Sequence, residues 1–221
     1  MTQKTFIFDL DGVIVDTAKY HFLAWQKLAN ELGISFTHED NEQLKGVSRV
    51  ASLELILKWG NKEISQEDKE KYLIQKNENY LAYIENIDAS EILPGVQDVL
   101  NYLKNNHQNI VLGSASKNAR PILEKTGVLH FFDAIIDGND VSKAKPDPEV
   151  FLLGAKNVNA NSNDCIVFED SVAGIQAANI AGMISIGIGD EKTLHEAKFR
   201  FKDFDEITID FIKELMGGVG A

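Results

Sequence analysis

Phe6-Ile7-Phe8-Asp9-Leu10-Asp11-Gly12-Val13 governs the reading of the chain, because an apolar run of strand character reaches a glycine with two carboxylates two residues apart at its end. In a strand, residues i and i+2 share a face, so Asp9 and Asp11 point the same way from the strand's C-terminal end. Carboxylates crowded like this repel unless a cation or a shared proton relieves them, which suits them to metal binding and acid/base work. An EF-hand loop starting at Asp9 would need glycine sixth and glutamate twelfth, but Gly12 falls fourth and Tyr20 twelfth, so that reading is excluded. An Asp-Gly hairpin would need a second alternating strand after Gly12, and Asp16-Thr17 opens a helical pattern instead.

Working outward, Phe22, Trp25, Leu28, Ala29 and Leu32 recur at helical spacing between Ala18 and Leu32, with Gly33 as a C-cap. Further helical patterns run at about 41 to 44, 51 to 59 and 66 to 84. The last has Ser65 as N-cap and a stripe of Leu73, Asn77, Tyr80 and Ile84. After Pro94-Gly95, apolar runs at Ile110 to Gly113, Ala134 to Ile136, Cys165 to Phe168 and Ile184 to Ile188 alternate with helical segments near 96 to 106, 118 to 126, 147 to 157 and 171 to 181. That alternation predicts a parallel sheet covered on both faces. Thr5 to Phe8 is assigned to the same sheet. The expected fold class is α/β, a doubly wound parallel sheet with an inserted all-helical cap: residues 1–16 and 88–221 form the core domain and 17–87 the cap, with hinges near 14 to 17 and 87 to 93. A last strand is expected near Glu206 to Ile209, followed by a terminal helix.

With 221 residues, 44% of them hydrophobic, the chain can bury a substantial core. A net charge of -12 argues against nucleic acid or an anionic membrane surface as partner and leaves a small molecule, since small phosphates can still be held by local charge and backbone amides. Cys165 is the one cysteine and lies in an apolar run, which suits a core thiol and a reducing compartment. The run after Met1-Thr2-Gln3-Lys4 is interrupted by Asp9 too early for a signal-peptide core, and no apolar segment is long enough to span a bilayer. A cytoplasmic monomer is expected.

Open parallel sheets place ligand sites beyond the strand C-termini, which here carry Asp9 and Asp11, then Ser114, then Glu169 and Asp170. Ser114 leads through Ala115-Ser116-Lys117-Asn118 into a helix that Pro121 could begin, an arrangement that serves as a helix cap or as an anion site. Lys145-Pro146-Asp147-Pro148 is a loop that Pro146 stiffens, and Lys145 is placed to balance the carboxylates or to hold a phosphoryl oxygen. Lys143, equally basic and two residues away, is expected in solvent. A cap explains Asp170 or Ser171 but hardly the two acids Glu169 and Asp170 together.

Taken in order, Asp9-Leu10-Asp11-Gly12, Ser114, Lys145-Pro146 and Glu169-Asp170 resemble the four motifs of the haloacid dehalogenase superfamily across nearly the whole chain. Within it, Thr17, His21 and Trp25, Lys45-Gly46-Val47-Ser48-Arg49, Lys76-Asn77 and Ser114-Ala115-Ser116-Lys117-Asn118 resemble the beta-phosphoglucomutase family. The resemblance implies that Asp9 attacks a phosphoryl group to give an aspartyl-phosphate and that Asp11 acts as acid and base. It implies Mg2+ held by Asp9, the Asp11 carbonyl, Glu169 and Asp170, and a clamp on the transferring group made by Ser114, the Ala115 amide and Lys145. A mutase holds a sugar bisphosphate in two orientations, so a second phosphate site is implied, with Arg49 leading and Ser116, Lys117 and Asn118 contributing. Lys45, Gly46, Val47, Ser52, Lys76 and Asn77 would contact the sugar. Trp25 joins the substrate-binding set by resemblance only, since Phe22 and Trp25 otherwise read as core.

A lone histidine on a helix is usually surface or satisfied core. By resemblance, His21 and Thr17 join the catalytic set, His21 setting the position of Asp11 when substrate closes the cap. The implied reaction interconverts beta-D-glucose 1-phosphate and beta-D-glucose 6-phosphate. The alternative is a Mg-dependent sugar-phosphate or phosphoglycolate phosphatase sharing every core residue, and His21 with the 45–49 motif favours the mutase. A non-catalytic phosphosugar-binding regulator would be expected to lose Asp9 or Asp11, and both are kept. Arg120 beside Pro121 departs from the family pattern, outside the chemical positions.

Overall fold

In the computed structural model, which describes residues 3–217, six strands form one sheet in the order β3-β2-β1-β4-β5-β6, every neighbouring pair parallel. The strands are β1 Thr5–Phe8, β2 Asn109–Gly113, β3 Ala134–Ile136, β4 Cys165–Glu169, β5 Ile184–Ile188 and β6 Phe199–Phe201. The central strand β1 is buried along its whole length, as a continuous apolar run in a parallel sheet should be. Its alternate side chains serve two cores. Phe6 and Phe8 stack on Phe168, with Phe204 beyond, on one face, while Ile7 joins Val111, Val167 and Phe151 on the other.

Helices α5 (Val96–Asn105), α6 (Ala119–Lys125) and α9 (Ile209–Gly217) cover the first face, and α7 (Glu149–Asn157) and α8 (Val172–Ile180) the second. The doubly wound expectation holds, and the predicted elements after residue 94 match to within about two residues, apart from the last strand. Pro121 sits in the third position of α6 and does not begin it; in the first turn its missing N–H costs no helical bond.

Between β1 and α5 lie α1 (Ala18–Glu31), α2 (His38–Glu42), α3 (Arg49–Trp59) and α4 (Gln66–Tyr83), built around a separate apolar cluster that includes Trp25, Leu28, Leu53 and Ile56. Helix α2 starts earlier than the 41 to 44 expected, because Thr37 forms a reciprocal capping box with Asp40. Ser65 caps α4 as anticipated. The α4 stripe divides: Leu73 packs into the helical cluster, while Tyr80 and Ile84 pack into the sheet's core. The two connections to this helical block run side by side, with Asp16 N donating to Glu91 O at 2.8 Å and Leu93 N to Ile14 O at 3.0 Å.

The last strand is a correction. It is Phe199–Phe201, not 206 to 209: Phe199 and Phe201 share a face and pack edge-on against Phe211, while the acidic stretch around Asp205 and Glu206 turns and Ile209 opens α9. Among the described residues no helix is long and apolar enough to cross a membrane. Cys165 is fully buried, and burial pushes its thiol up to about 11, which agrees with a core role.

Candidate active site

The ends of β1, β2 and β4 bring together what the sequence pointed to. Asp9 N donates to Phe168 O at 3.0 Å, continuing the sheet and fixing the start of the Asp9 side chain. Gly12 has φ +78°, and a Cβ there would collide with the Asp170 carboxylate, so glycine serves both the turn and the approach of that acid. Glu169 is fully buried. One of its oxygens accepts from the Ser171 N–H and hydroxyl at 2.8 Å each. Its carboxylate occupies the space a side chain on Gly174 would need.

Lys145 is drawn into this group from the loop after β3, through a cis Lys145-Pro146 peptide. Its Nζ meets Asp9 Oδ1 at 2.7 Å and Glu169 Oε1 at 2.5 Å, over the Phe151 ring. Burial works against the charge, but Asp9 and Glu169 outweigh it and push the ammonium pKa up. Lys143 is solvated as expected, with a side chain 69% exposed. Burial raises Asp9 well above the usual carboxylate range, and the neighbouring carboxylates add to what Lys145 opposes. Burial also raises Asp11, against a hydrogen bond donated by the Thr17 hydroxyl. Asp170 is pushed up to about 7 by burial, with Lys45 Nζ at 3.2 Å opposing.

His21 is where helical block and sheet meet. Lys76 Nζ lies 2.9 Å from its Nδ1 and over the rings of Trp25 and Tyr80. Burial, with the charges of Lys76 and Arg49, holds His21 well below its ordinary pKa, and burial beside Arg49 brings Lys76 down to about 7. With Lys76 donating to Nδ1, the neutral ring carries its proton on Nε2. That atom points to Asp11 Oδ1 at 3.7 Å and has no hydrogen-bond partner.

A cavity of about 480 Å³ opens between block and sheet, a size suited to a small polar ligand. Asp9, Asp11, Ser114, Lys145 and Asp170 line one side and His21, Trp25, Lys45, Gly46, Val47, Arg49, Ser52 and Lys76 the other, with Ala115, Ser116, Lys117 and Asn118 between. Three predicted residues do not line it. Glu169 lies beneath Lys145, Thr17 is buried beside Asp11, and Asn77 Oδ1 accepts from Asn118 Nδ2 at 3.1 Å, tying the two sides together. Trp25 is 3% exposed and belongs mainly to the helical core. Arg49 sits at the first position of α3, set by the Ser48 N-cap, and among the described residues it pairs with no acid. Sequence reasoning missed Tyr80, whose ring centre lies 4.2 Å from that of His21 at a tilt of 36°; its i, i+4 spacing from Lys76 was the available signal. It also missed Gly138, Val141, Ser142 and Ala144 on the cavity rim, where a plain loop gives no signal.

A buried nucleophile candidate at the end of a central parallel strand, with a lysine and two further acids behind it, defines a class of phosphoryl-transfer enzyme. A family model for haloacid dehalogenase-like hydrolases matches residues 3–182, and the chain belongs to that family. It is similar to the beta-phosphoglucomutase of Bacillus subtilis (strain 168), 39% identical over 96% of this chain and 95% of that one. The structure of beta-phosphoglucomutase from Clostridium difficile superposes with a TM-score of 0.93 at 42% identity, covering 98% of both chains. The fructose-1-phosphate phosphatase YqaB of Escherichia coli (strain K12) is 30% identical over 82% of this chain and 94% of its own.

Proposed function

We infer that this chain interconverts beta-D-glucose 1-phosphate and beta-D-glucose 6-phosphate through an aspartyl-phosphate on Asp9 and beta-glucose 1,6-bisphosphate. The observation that carries this reading is a cation, Arg49, that has no acidic partner among the described residues and faces the same cavity as Asp9 from the opposite wall. Hydrolysis of one phosphate needs no such group, whereas a sugar carrying two phosphates does.

An Asp9 oxygen attacks one phosphorus of the bisphosphate, the ester P–O bond breaks, and the leaving sugar oxygen takes a proton from Asp11. The monophosphate leaves, and an incoming beta-glucose 1-phosphate presents its free 6-hydroxyl, which returns a proton to Asp11 and attacks the aspartyl-phosphate, breaking the acyl phosphate P–O bond and releasing the Asp9 carboxylate. The bisphosphate so formed then turns over to offer its other phosphate to Asp9. Burial suits Asp11 to this, because it raises the pKa and so favours the protonated form that the first half needs. Ser114 and Lys145 stand beside Asp9 to stabilise the transferring group.

The donor set fits Mg2+. Among the described residues no three acidic, histidine or cysteine side chains stand as a formed cage, and Lys145 and Lys45 contact the carboxylates instead. Four carboxylates (Asp9, Asp11, Glu169, Asp170) thus face two ammonium groups, leaving two negative charges in excess, which a divalent hard cation bound by oxygens relieves. Asp9, the Asp11 carbonyl, Glu169 and Asp170 would hold it, and when bound it neutralises charge on the phosphoryl oxygens. A consequence is testable without turnover. Asp170 rises from the ordinary 3.8 to about 7, so the folded state holds that proton more tightly. Metal-free stability therefore falls as pH rises from about 4 through 7. That shift corresponds to roughly 4 kcal/mol, and relief of even half of it would raise Tm by roughly 4–8 °C. Asp170→Asn is expected to melt higher than the parent at pH 8 in chelator and to lose the Mg2+-dependent rise; an unchanged Mg2+ response would remove Asp170 from the ligand set.

We further assign 17–87 as a cap moving over a core of 1–16 and 88–221, in a cytoplasmic monomer. His21 Nε2, one step out of hydrogen-bond range of Asp11, would close on it as the cap closes. His21→Ala is expected to lower mutase turnover and raise wasteful phosphate release, measured in one tube; unchanged partitioning would sink that role. The function itself is tested with Mg2+, beta-glucose 1-phosphate and a trace of beta-glucose 1,6-bisphosphate, following glucose 6-phosphate and free phosphate together. Glucose 6-phosphate in large excess establishes the mutase, while phosphate with little glucose 6-phosphate means water takes the aspartyl group, as in a phosphatase.

A further inference from the structure

Arg120, Asp137 and Asn139 have no part in the chemistry above, yet a continuous set of bonds ties them to the main chain of 115–118. The Asn139 side-chain amide donates to the Lys117 carbonyl at 3.1 Å and to Asp137 Oδ1 at 2.9 Å. Gly138 N donates to the Ser116 carbonyl at 3.1 Å. Asp137, only 2% exposed, also accepts from Asn139 N at 2.8 Å, and its other oxygen meets Arg120 Nε at 3.2 Å. Arg120 is itself fixed by donating to the Ile135 carbonyl at 2.8 Å. A Cβ on Gly138 would collide with the Ala115 carbonyl oxygen, so the two segments lie as close as backbone allows.

This clamp matters because of what it holds. Lys117 is exposed and among the described residues has no acidic partner, so its four-carbon stem is free to wander. A wandering ammonium places a phosphate poorly unless the main chain beneath it is fixed. We propose that Asn139, oriented by the buried Asp137 carboxylate that Arg120 pairs with, is a positioning residue that sets the Ser116–Asn118 main chain for the phosphate remote from Asp9, and so favours doubly phosphorylated sugars over simple monoesters. The proposal rests on the two-phosphate reading above. It also gives Arg120, which the family resemblance left unused, a place in substrate selection.

The test compares consumption of beta-glucose 1,6-bisphosphate with hydrolysis of p-nitrophenyl phosphate, which has no second phosphate, in the parent, Asn139→Ala and Asn139→Asp. Aspartate keeps the size but cannot donate to the Lys117 carbonyl, and it repels Asp137. Both variants are expected to raise KM for the bisphosphate about five-fold or more, the scale of one hydrogen bond, with kcat and the p-nitrophenyl phosphate rate within about two-fold of the parent. Equal losses on both substrates, or no loss on either, overturns the proposal. If neither variant folds, as judged by melting, Arg120→Leu, which removes the guanidinium that pairs with Asp137 from outside the cavity, is read in the same way. Bisphosphate consumption is counted whichever product forms, so the clamp is judged even if the parent only hydrolyses. The parent's ratio of glucose 6-phosphate to free phosphate judges the mutase reading separately.

Discussion

Asp9→Asn is expected to retain less than about one-thousandth of the parent's turnover of beta-glucose 1-phosphate while folding normally. An amide does not attack phosphorus, and nothing beside Asp9 replaces it: Glu169 is fully buried with its oxygens committed to Lys145 and Ser171, and Asp11 is held by Thr17. The fold tolerates the change because the asparagine carbonyl can still accept from Lys145, now at 2.7 Å from Asp9. It also removes a charge that burial disfavours. In chelator the variant should therefore melt no lower than the parent. The check is a product assay paired with mass spectrometry of acid-quenched protein, in which the parent carries an added phosphoryl group on the peptide containing Asp9 and the variant carries none. Turnover above about one per cent would mean that another carboxylate is the nucleophile.

Lys145→Ala carries the largest expected loss of stability. The ammonium is 1% exposed and lies between Asp9 and Glu169, whose side chains are 10% and 1% exposed. Removing it leaves two buried carboxylates without their shared cation, a loss of about 3–5 kcal/mol. In a chain of this length that lowers Tm by roughly 6–20 °C. The pH dependence has a definite sign. Because the folded-state pKa of Lys145 is raised above the ordinary 10.5, its contribution is fully present below that value and is lost only as pH rises through the folded one. At neutral pH the parent therefore has all of it. In the variant, protons take over from the missing ammonium, so the gap between the two proteins should narrow as pH falls from 8 to 5, with acid unfolding of both as the lower limit. Thermal melts in chelator across that range provide the measurement. A gap that is constant with pH would mean that Lys145 stabilises through packing on Phe151 rather than through charge.

The sheet was legible because its strands are short apolar runs bounded by turns and charges. β3 and β5 fall where the runs at Ala134 to Ile136 and Ile184 to Ile188 were read. β6 was not legible, since Phe199-Arg200-Phe201 is three residues with an exposed arginine at its centre, while Ile207 and Ile209 offered a more apolar but false alternative. The strand-end acids could be read because one rule, that ligands gather at strand C-termini, places residues far apart in sequence at one spot. The Lys76–His21 contact spans 55 residues across two helices, and no local pattern announces it. The 137–139 clamp works largely through main-chain carbonyls, which every residue type has, so composition cannot mark it.

The position of β1 has a further consequence, for how the molecule comes to exist. It is the first strand in the chain and the central one in the sheet. Thr5 pairs with Asn109 and with Cys165, partners 104 and 160 residues away. A chain growing from its N-terminus thus exposes the strand that leads to Asp9 long before either neighbour has been made. The helices after it, whose contacts are local, can form while it waits. The segment that leads to the chemistry stays an unpaired, mainly apolar edge until those partners are made, and Lys4 and the Asp9–Asp11 pair are the charges that flank it.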